Sequence, residues 1–281
     1  MGKSINSFNK SLEWLIPSHP NWPTNVKTLM STRIGGYSQG PYESLNLGNH
    51  VGDDPILVQN NREHHQQLIG NRPVYLKQVH KSDVVVLDPT TADDSQGDVC
   101  LTIHKNLSCT IMVADCLPIL ITNRQGTLVG AAHAGWRGLA GVDCLDGLGV
   151  VEKLLIELGK LARDYSGNQQ QWLAWLGPCI GPKYFEVGEE VRRAFLSIPQ
   201  ASKYFKASPA RQVLGAGEHK WLANLGGLAK LKLNQQGVEI ILGNDLGANG
   251  DDWCTYANSE LFFSHRRDKV SGRMAASIWM T

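Results

Sequence analysis

Thirty residues, Cys109 to Gly138, constrain this chain more than any others: CTIMVADCLPILITNRQGTLVGAAHAGWRG. They read as two apolar strands around the polar turn Asn123-Arg124-Gln125-Gly126, followed by a glycine-rich corner. Cys116 interrupts the first apolar run and His133 ends the second. A strand rises about 3.3 Å per residue, so two paired runs of this length return His133 to the neighbourhood of Cys116. An earlier β-like run, Val74–Val79, ends in His80. Two imidazoles and a thiol form the soft-to-borderline donor set that zinc prefers.

The flanking chain supplies further elements. Asp54 to Ile69 has helical character, with Asp53 or Asp54 as N-cap, Pro55 in the first turn and Gly70 as the stop. Val74–Val79 and Val84–Leu87 bracket His80–Asp83 and predict a hairpin. After an acidic loop at 90–98 comes a short strand at Val99–Ile103. Val150–Arg163 carries apolar residues at helical spacing. Trp172–Leu176 and Val238–Leu242 read as strands, the latter as a buried one. Glu189–Ser197 and Trp221–Gln235 read as helical, and 198–218 as irregular. Phe262–Ser264 and Arg273–Trp279 are predicted to close the chain as strands. Gly215-Ala216-Gly217 is too short for a phosphate loop, and GNDLGANGDD (243–252) lacks the alternate oxygen ligands of a calcium loop. Strands and helices mix without strict alternation, which predicts an α+β fold rather than a doubly wound sheet. The expected organisation is one domain over 1–281, with 1–30 as an irregular lead-in broken by Pro17, Pro20 and Pro23.

Composition narrows the function. The 27 basic and 26 acidic residues leave a net charge of +1, so nothing points to nucleic acid or a membrane surface as partner. No apolar run approaches 18 residues, and the first residues carry neither a secretory h-region nor a myristoylation pattern. Six scattered cysteines with no CxxC pair read as reduced thiols, giving a cytoplasmic expectation.

Taken singly, His80, Cys116 and His133 are a turn residue, a small hydrophobe and a strand end. Their contexts say more. Asp115 precedes Cys116 in an apolar run, where burial is costly without a partner. Small neighbours flank His133. Three protein donors leave the fourth position of a tetrahedral zinc open, the catalytic pattern. The same residues equally suit a Cys116 thiolate nucleophile with His133 as base. Spacing alone leaves the two open. For anion or substrate contacts the candidates are Arg33 and Asn46 in the Gly/Ser-rich stretch 31–55, Arg137 in GWRG, and Cys179 in the turn GPCIGP. Trp136 reads as core filling, and Arg266, Arg267, Lys269 and Arg273 read as a solvated turn, with Arg266 and Arg267 next in line for an anion.

The motifs STRIGGYSQGPYESLNLG, LKQVH, ADCLPILI, GAAHAGWRG, GPCIGPKYFEVG and FFSHRRD, in this order, resemble the laccase-domain family. Its members are labelled polyphenol oxidoreductase, purine nucleoside phosphorylase and peptidoglycan editing factor. The resemblance implies a four-layer α/β/β/α sandwich and a zinc on His80, Cys116 and His133. It also implies phosphorolysis of purine nucleosides (adenosine, inosine, guanosine, methylthioadenosine) and deamination of adenosine. The expected partners are a purine nucleoside and inorganic phosphate, with the chain a monomer or weak homo-oligomer. The rivals are a cysteine hydrolase acting on a cell-wall precursor and a copper-dependent phenol oxidase. The latter needs several histidine clusters, and this chain has nine dispersed histidines. Two departures stand out: a longer 139–150 passage, and His265 where the family more often has an aromatic.

Overall fold

The computed structural model describes residues 14–15, 19–166, 171–209, 219–244 and 253–281. Residues 215–217, most of the 243–252 loop and much of the lead-in 1–30 lie outside the described residues. Two mixed sheets carry the fold. The first has five strands in the order Trp14–Leu15, Val26–Ser31, Met274–Met280, Leu107–Val113, Arg72–Tyr75. The second has six, in the order Ile240–Gly243, Trp172–Leu176, Leu117–Asn123, Val129–Ala134, Val99–Thr102, Val84–Val86. A small three-stranded sheet is built from Glu186–Val187, Trp221–Ala223 and Phe205–Ala207.

The layering follows from the two-residue period of a strand. Leu107, Cys109, Ile111 and Val113 face inward and pack with Leu120, Val129 and Ala131 of the second sheet. On the other face of their strand, Thr110 bonds Ser277 at 2.9 Å and Met112 packs with Leu45, Leu47 and Tyr75. The helix Pro55–Ile69 lies on that side, where Ile69 meets Leu29 and Trp279. Across the second sheet, Leu117, Ile119 and Ile121 pack against the helices Val150–Ser166 and Leu225–Gln235. The result is the expected α/β/β/α sandwich. Both central strands are buried on both faces, which is why they read as continuous apolar runs.

The Val150–Ser166 helix shows how packing decides local structure. In proteins most helical stability comes from packing of an apolar face rather than from propensity. Its buried stripe of Val150, Val151, Leu154 and Leu158 contributes about 1.5–3 kcal/mol per side chain on burial. Gly130 lets it settle closely, because a Cβ there would lie 2.6 Å from Leu154 Cδ1. The Pro55–Ile69 helix has the predicted ends: Asp54 accepts from the Ile56 amide, and Gly70 closes it in the left-handed region at φ 64°.

The hairpin Leu117–Asn123/Val129–Ala134 is formed, with Pro118 opposite His133. Other expectations change. Val74–Val79 and Val84–Leu87 do not form a hairpin. Arg72–Tyr75 belongs to the first sheet and Val84–Val86 to the second, so the His80 segment crosses between layers. The apolar run around Cys116 likewise divides at Ala114–Cys116, one strand in each sheet. Among the described residues Ile240–Gly243 pairs only with Trp172–Leu176, so it is a half-buried edge rather than a buried strand. Trp221–Ala223 is a strand preceding the helix Leu225–Gln235. Ser264 caps a short helix, His265–Asp268, in place of the strand expected at Phe262–Ser264. No described helix is long and apolar enough to cross a membrane.

Candidate metal and anion site

The crossings at His80 and at Ala114–Cys116 lie at one end of the inter-sheet layer, and the chemistry gathers there. His133 shares its strand face with Val129 and Ala131, and so points into that layer. Cys116 follows the first strand's crossing, and His80 lies in the loop that leaves Arg72–Tyr75. Their donor atoms lie within 4.8 Å of one another. Small side-chain adjustments bring three such donors onto an ion at the usual 2.0–2.3 Å. The His80 and His133 rings meet edge to face, 4.7 Å between centroids. Gly135 makes room for them. A Cβ there would stand 3.1 Å from Cys116 Sγ and 3.1 Å from His80 Cδ2.

Asp98, at the end of the acidic loop, organises the cluster. The loop alone does not single it out among its acidic neighbours. One oxygen, Oδ1, lies 2.8 Å from His133 Nδ1 and accepts the His80 amide at 2.9 Å. The other accepts the amides of Val79 and Lys81 at 3.1 and 2.9 Å. The Asp98 carbonyl also accepts the His133 amide at 2.8 Å. A carboxylate on Nδ1 orients the ring and leaves Nε2 as the donor, the usual outer-shell arrangement around a metal. The three successive amides explain how His80 holds a positive φ of 61°, uncommon for a residue with a Cβ. Burial raises the Asp98 carboxyl, but the hydrogen bond and charge of His133 with the Lys81 and Val79 amides outweigh it and bring it below its usual range.

Cys116 and His133 are tuned as a pair. Burial pushes the thiol up, yet the charge of His133 and hydrogen bonds from His133 and His80 prevail, bringing it down to about 6. Burial lowers His133, while the Cys116 charge and Asp98 raise it to about 10. The ion-free pair is therefore thiolate and imidazolium near neutrality. A coordinated thiolate is shielded, whereas a free one at this pKa alkylates readily. The holo-protein should resist iodoacetamide at Cys116 at pH 7, and chelation should expose it, as read by peptide mass. Equal labelling before and after chelation would contradict metal ligation by Cys116.

The donors open onto a cavity of about 450 Å³, within the range of small-molecule sites. Arg266, Lys269 and Arg273 line it together with His50, Asp115 and His265. The basic cluster read as a solvated turn is thus partly a cavity wall. Arg267 turns away, its guanidinium donating to the carbonyls of Thr255, Tyr256 and Phe262. Arg273 commits Nη1 to the Ser271 and Gly272 carbonyls at 2.9 and 3.0 Å, leaving Nε and Nη2 of the guanidinium without a protein partner among the described residues. His50 is pushed down by burial and by Arg273 and Arg62, which favours its neutral form.

Arg33, Asn46, Arg137 and Cys179 do not line this cavity. Arg33 donates to the carbonyls of Glu43 and Ser259 at 2.8 and 2.9 Å and lies over the Phe263 ring, tying down the 31–48 loop. Arg137 lies 4.4 Å over Trp136, which packs on the core as expected. Asn46 is buried, and its Oδ1 accepts the Arg273 amide at 2.8 Å. Cys179 is buried beside Cys254, one residue before the cavity-lining Ile180.

Fold and site together define an α+β protein whose two-histidine, one-cysteine donor cluster opens onto a basic pocket. The chain belongs to the family described as multi-copper polyphenol oxidoreductase laccase, which matches residues 27–281. It is 43% identical over 266 residues to the purine nucleoside phosphorylase YfiH of Escherichia coli, covering 93% of this chain and 97% of that one. A purine nucleoside phosphorylase of Pseudomonas aeruginosa is 39% identical over 267 residues, covering 95% and 98%. Among solved structures, a Neisseria meningitidis protein of family DUF152 superposes with a TM-score of 0.79 at 39% identity, covering 96% of this chain and 99% of that one. YlmD from Geobacillus stearothermophilus gives 0.78 at 28% identity, covering 96% and 97%.

Proposed function

We propose that this chain is a zinc-dependent purine nucleoside phosphorylase acting on adenosine, inosine, guanosine and methylthioadenosine. One observation carries the reading: a His80–Cys116–His133 donor cluster and a wall of Arg266, Lys269 and Arg273 share one cavity. The names of the E. coli and P. aeruginosa relatives support it. His80, Cys116 and His133 would hold the zinc, which would supply Lewis-acid chemistry. It is favoured over copper because multicopper oxidation needs several clusters, and the described residues offer one group of three donors.

The cationic wall binds and orients phosphate. A phosphate oxygen bonds to the ribose anomeric carbon as the bond to the purine breaks, and the electron pair leaves with the base. Met112, Val113, Ile180 and Phe185 give the cavity an apolar side suited to a purine. Adenosine deamination is a lesser activity of the same site. Metal analysis with phosphate-dependent release of hypoxanthine from inosine tests the reading. One zinc per chain and strict phosphate dependence support it; full activity in rigorously metal-free protein rejects it. The lowered Cys116 thiol favours a second reading, a cysteine hydrolase, which a trapped Cys116 acyl adduct during turnover would establish.

Arg273 gives the sharpest test of the anion site. Lys keeps the charge but loses the fork that grips phosphate at two oxygens. A lost charge-assisted hydrogen bond of about 1.5–3 kcal/mol corresponds to roughly tenfold or more. Arg273→Lys should raise the KM for phosphate by about that factor while zinc content stays unchanged. An unchanged phosphate dependence would move the anion elsewhere.

A further inference from the structure

Asp115 is the acid among the described cavity-lining residues, and its backbone is held at φ 96°. Such a conformation costs a residue with a Cβ about 1–3 kcal/mol, and glycine would adopt it freely. The carboxylate accounts for an acid standing there. Oδ2 accepts the Arg266 amide at 2.7 Å, and Oδ1 accepts the Thr255 hydroxyl at 2.6 Å. Its carbonyl accepts the Ile180 amide at 2.9 Å. One residue therefore joins the crossing that carries Cys116, the Ile180 turn, the Thr255 segment and the helix His265–Asp268. Around that helix the other ties are also made. Arg266 Nη1 donates to the Glu186 carbonyl at 2.9 Å, and its guanidinium lies 5.5 Å from the Phe185 ring centroid.

We propose that Asp115 is a positioning residue: it fixes the Arg266 end of the cationic wall relative to the Cys116 donor, so that phosphate meets the metal cluster in one place. This rests on the phosphorylase reading of the cavity. Both carboxylate oxygens are engaged by protein donors, so Asp115 acts through Arg266 and does not touch phosphate. Those two donors also offset a negative charge that would otherwise repel the anion beside it.

The test is Asp115→Gly in the zinc-loaded full chain. Gly adopts the left-handed backbone freely and removes both acceptors, so the Arg266 N–H and the Thr255 hydroxyl lose their partner. The Kd of inorganic phosphate, measured by calorimetry, and the KM for phosphate should both rise about tenfold. Amide exchange at Arg266 should quicken, with zinc at one per chain and the KM for inosine moving less than about twofold, since the binding energy of the nucleoside is unaltered. If Gly disturbs folding, Asp115→Ala removes the same two acceptors and should show the same rise in phosphate Kd, whereas Asp115→Asn, turned so that Oδ1 accepts the Arg266 N–H and Nδ2 donates to the Thr255 hydroxyl, should restore most of the phosphate affinity. Faster exchange with an unchanged phosphate Kd would overturn the proposal and leave the phosphorylase reading intact. So would a loss of zinc without a change in phosphate binding. Wild-type holo-protein that binds no phosphate would overturn both.

Discussion

Cys116→Ala is expected to release the zinc and to lower phosphorolysis by on the order of 10³-fold, while the protein stays folded. The loss follows from geometry. The donors His80 and His133 alone leave an ion with two protein ligands in a cluster where three lie within 4.8 Å. A Lewis acid contributes several kcal/mol to a transition state, and each 1.36 kcal/mol is tenfold in rate. The fold survives because inter-sheet packing of residues such as Ile111, Leu120 and Phe262 does not pass through Cys116, which is only partly buried at the margin of that layer. Atomic absorption on the purified variant, with circular dichroism and an inosine assay, checks all three parts. Retained zinc, or retained activity without zinc, would refute the assignment.

Asp98→Asn should weaken zinc by about 10–100-fold, as loss of an outer-shell carboxylate does, and should also lower Tm. Asp98 is fully buried and accepts from His133 and three successive amides. Asn keeps one accepting oxygen, so at least one of those donors is left unsatisfied, at a cost of about 1–3 kcal/mol. The pH signature is specific. The Asp98 carboxyl is held below its usual range in the folded protein, so its contribution is present above the unfolded value of about 3.9. That contribution disappears as pH falls through the lower folded value. Stability of the wild type should thus fall on the acid side, and the Asn variant should lack this part of the slope. Matching acid titrations of wild type and variant, followed by fluorescence, would contradict the role given to Asp98.

Much of this was legible before the structure. The turn at Asn123–Gly126 marked the hairpin that carries His133, and Asp54 and Gly70 marked the ends of their helix. The three donors stood out because each breaks or ends an apolar run. The division of one such run between two sheets was not legible. Leu107–Val113 and Leu117–Asn123 are each buried on both faces, so hydrophobicity keeps no record of a change of layer. Asp115 was the visible sign of the break, and its partners come from residues 255 and 266. Asp98 was hidden among acidic neighbours that sequence treats alike. The basic residues after His265 were misread because spacing on a short turn does not say which side chains point inward. Arg33 illustrates the reverse: its long loop drew notice, yet its guanidinium is consumed by two carbonyls and a ring.

The double crossing at one end of the sandwich gives the core a second task. Cys116 directly precedes Leu117, which pairs with Ala134 beside His133, so the register of one second-sheet hairpin sets the distance between those two donors. His80 instead lies in the loop that leaves the first sheet, so its distance from them depends on how far apart the two sheets stand, about 10 Å for sheets packed face to face. That distance depends on side chains such as Ile111, Leu120, Trp175 and Phe262, none of which need touch an ion. Close-packed interiors transmit strain rather than absorb it. The apolar filling between the sheets thus works as a gauge block for the donor set, and selection on metal affinity can reach residues buried well behind the site.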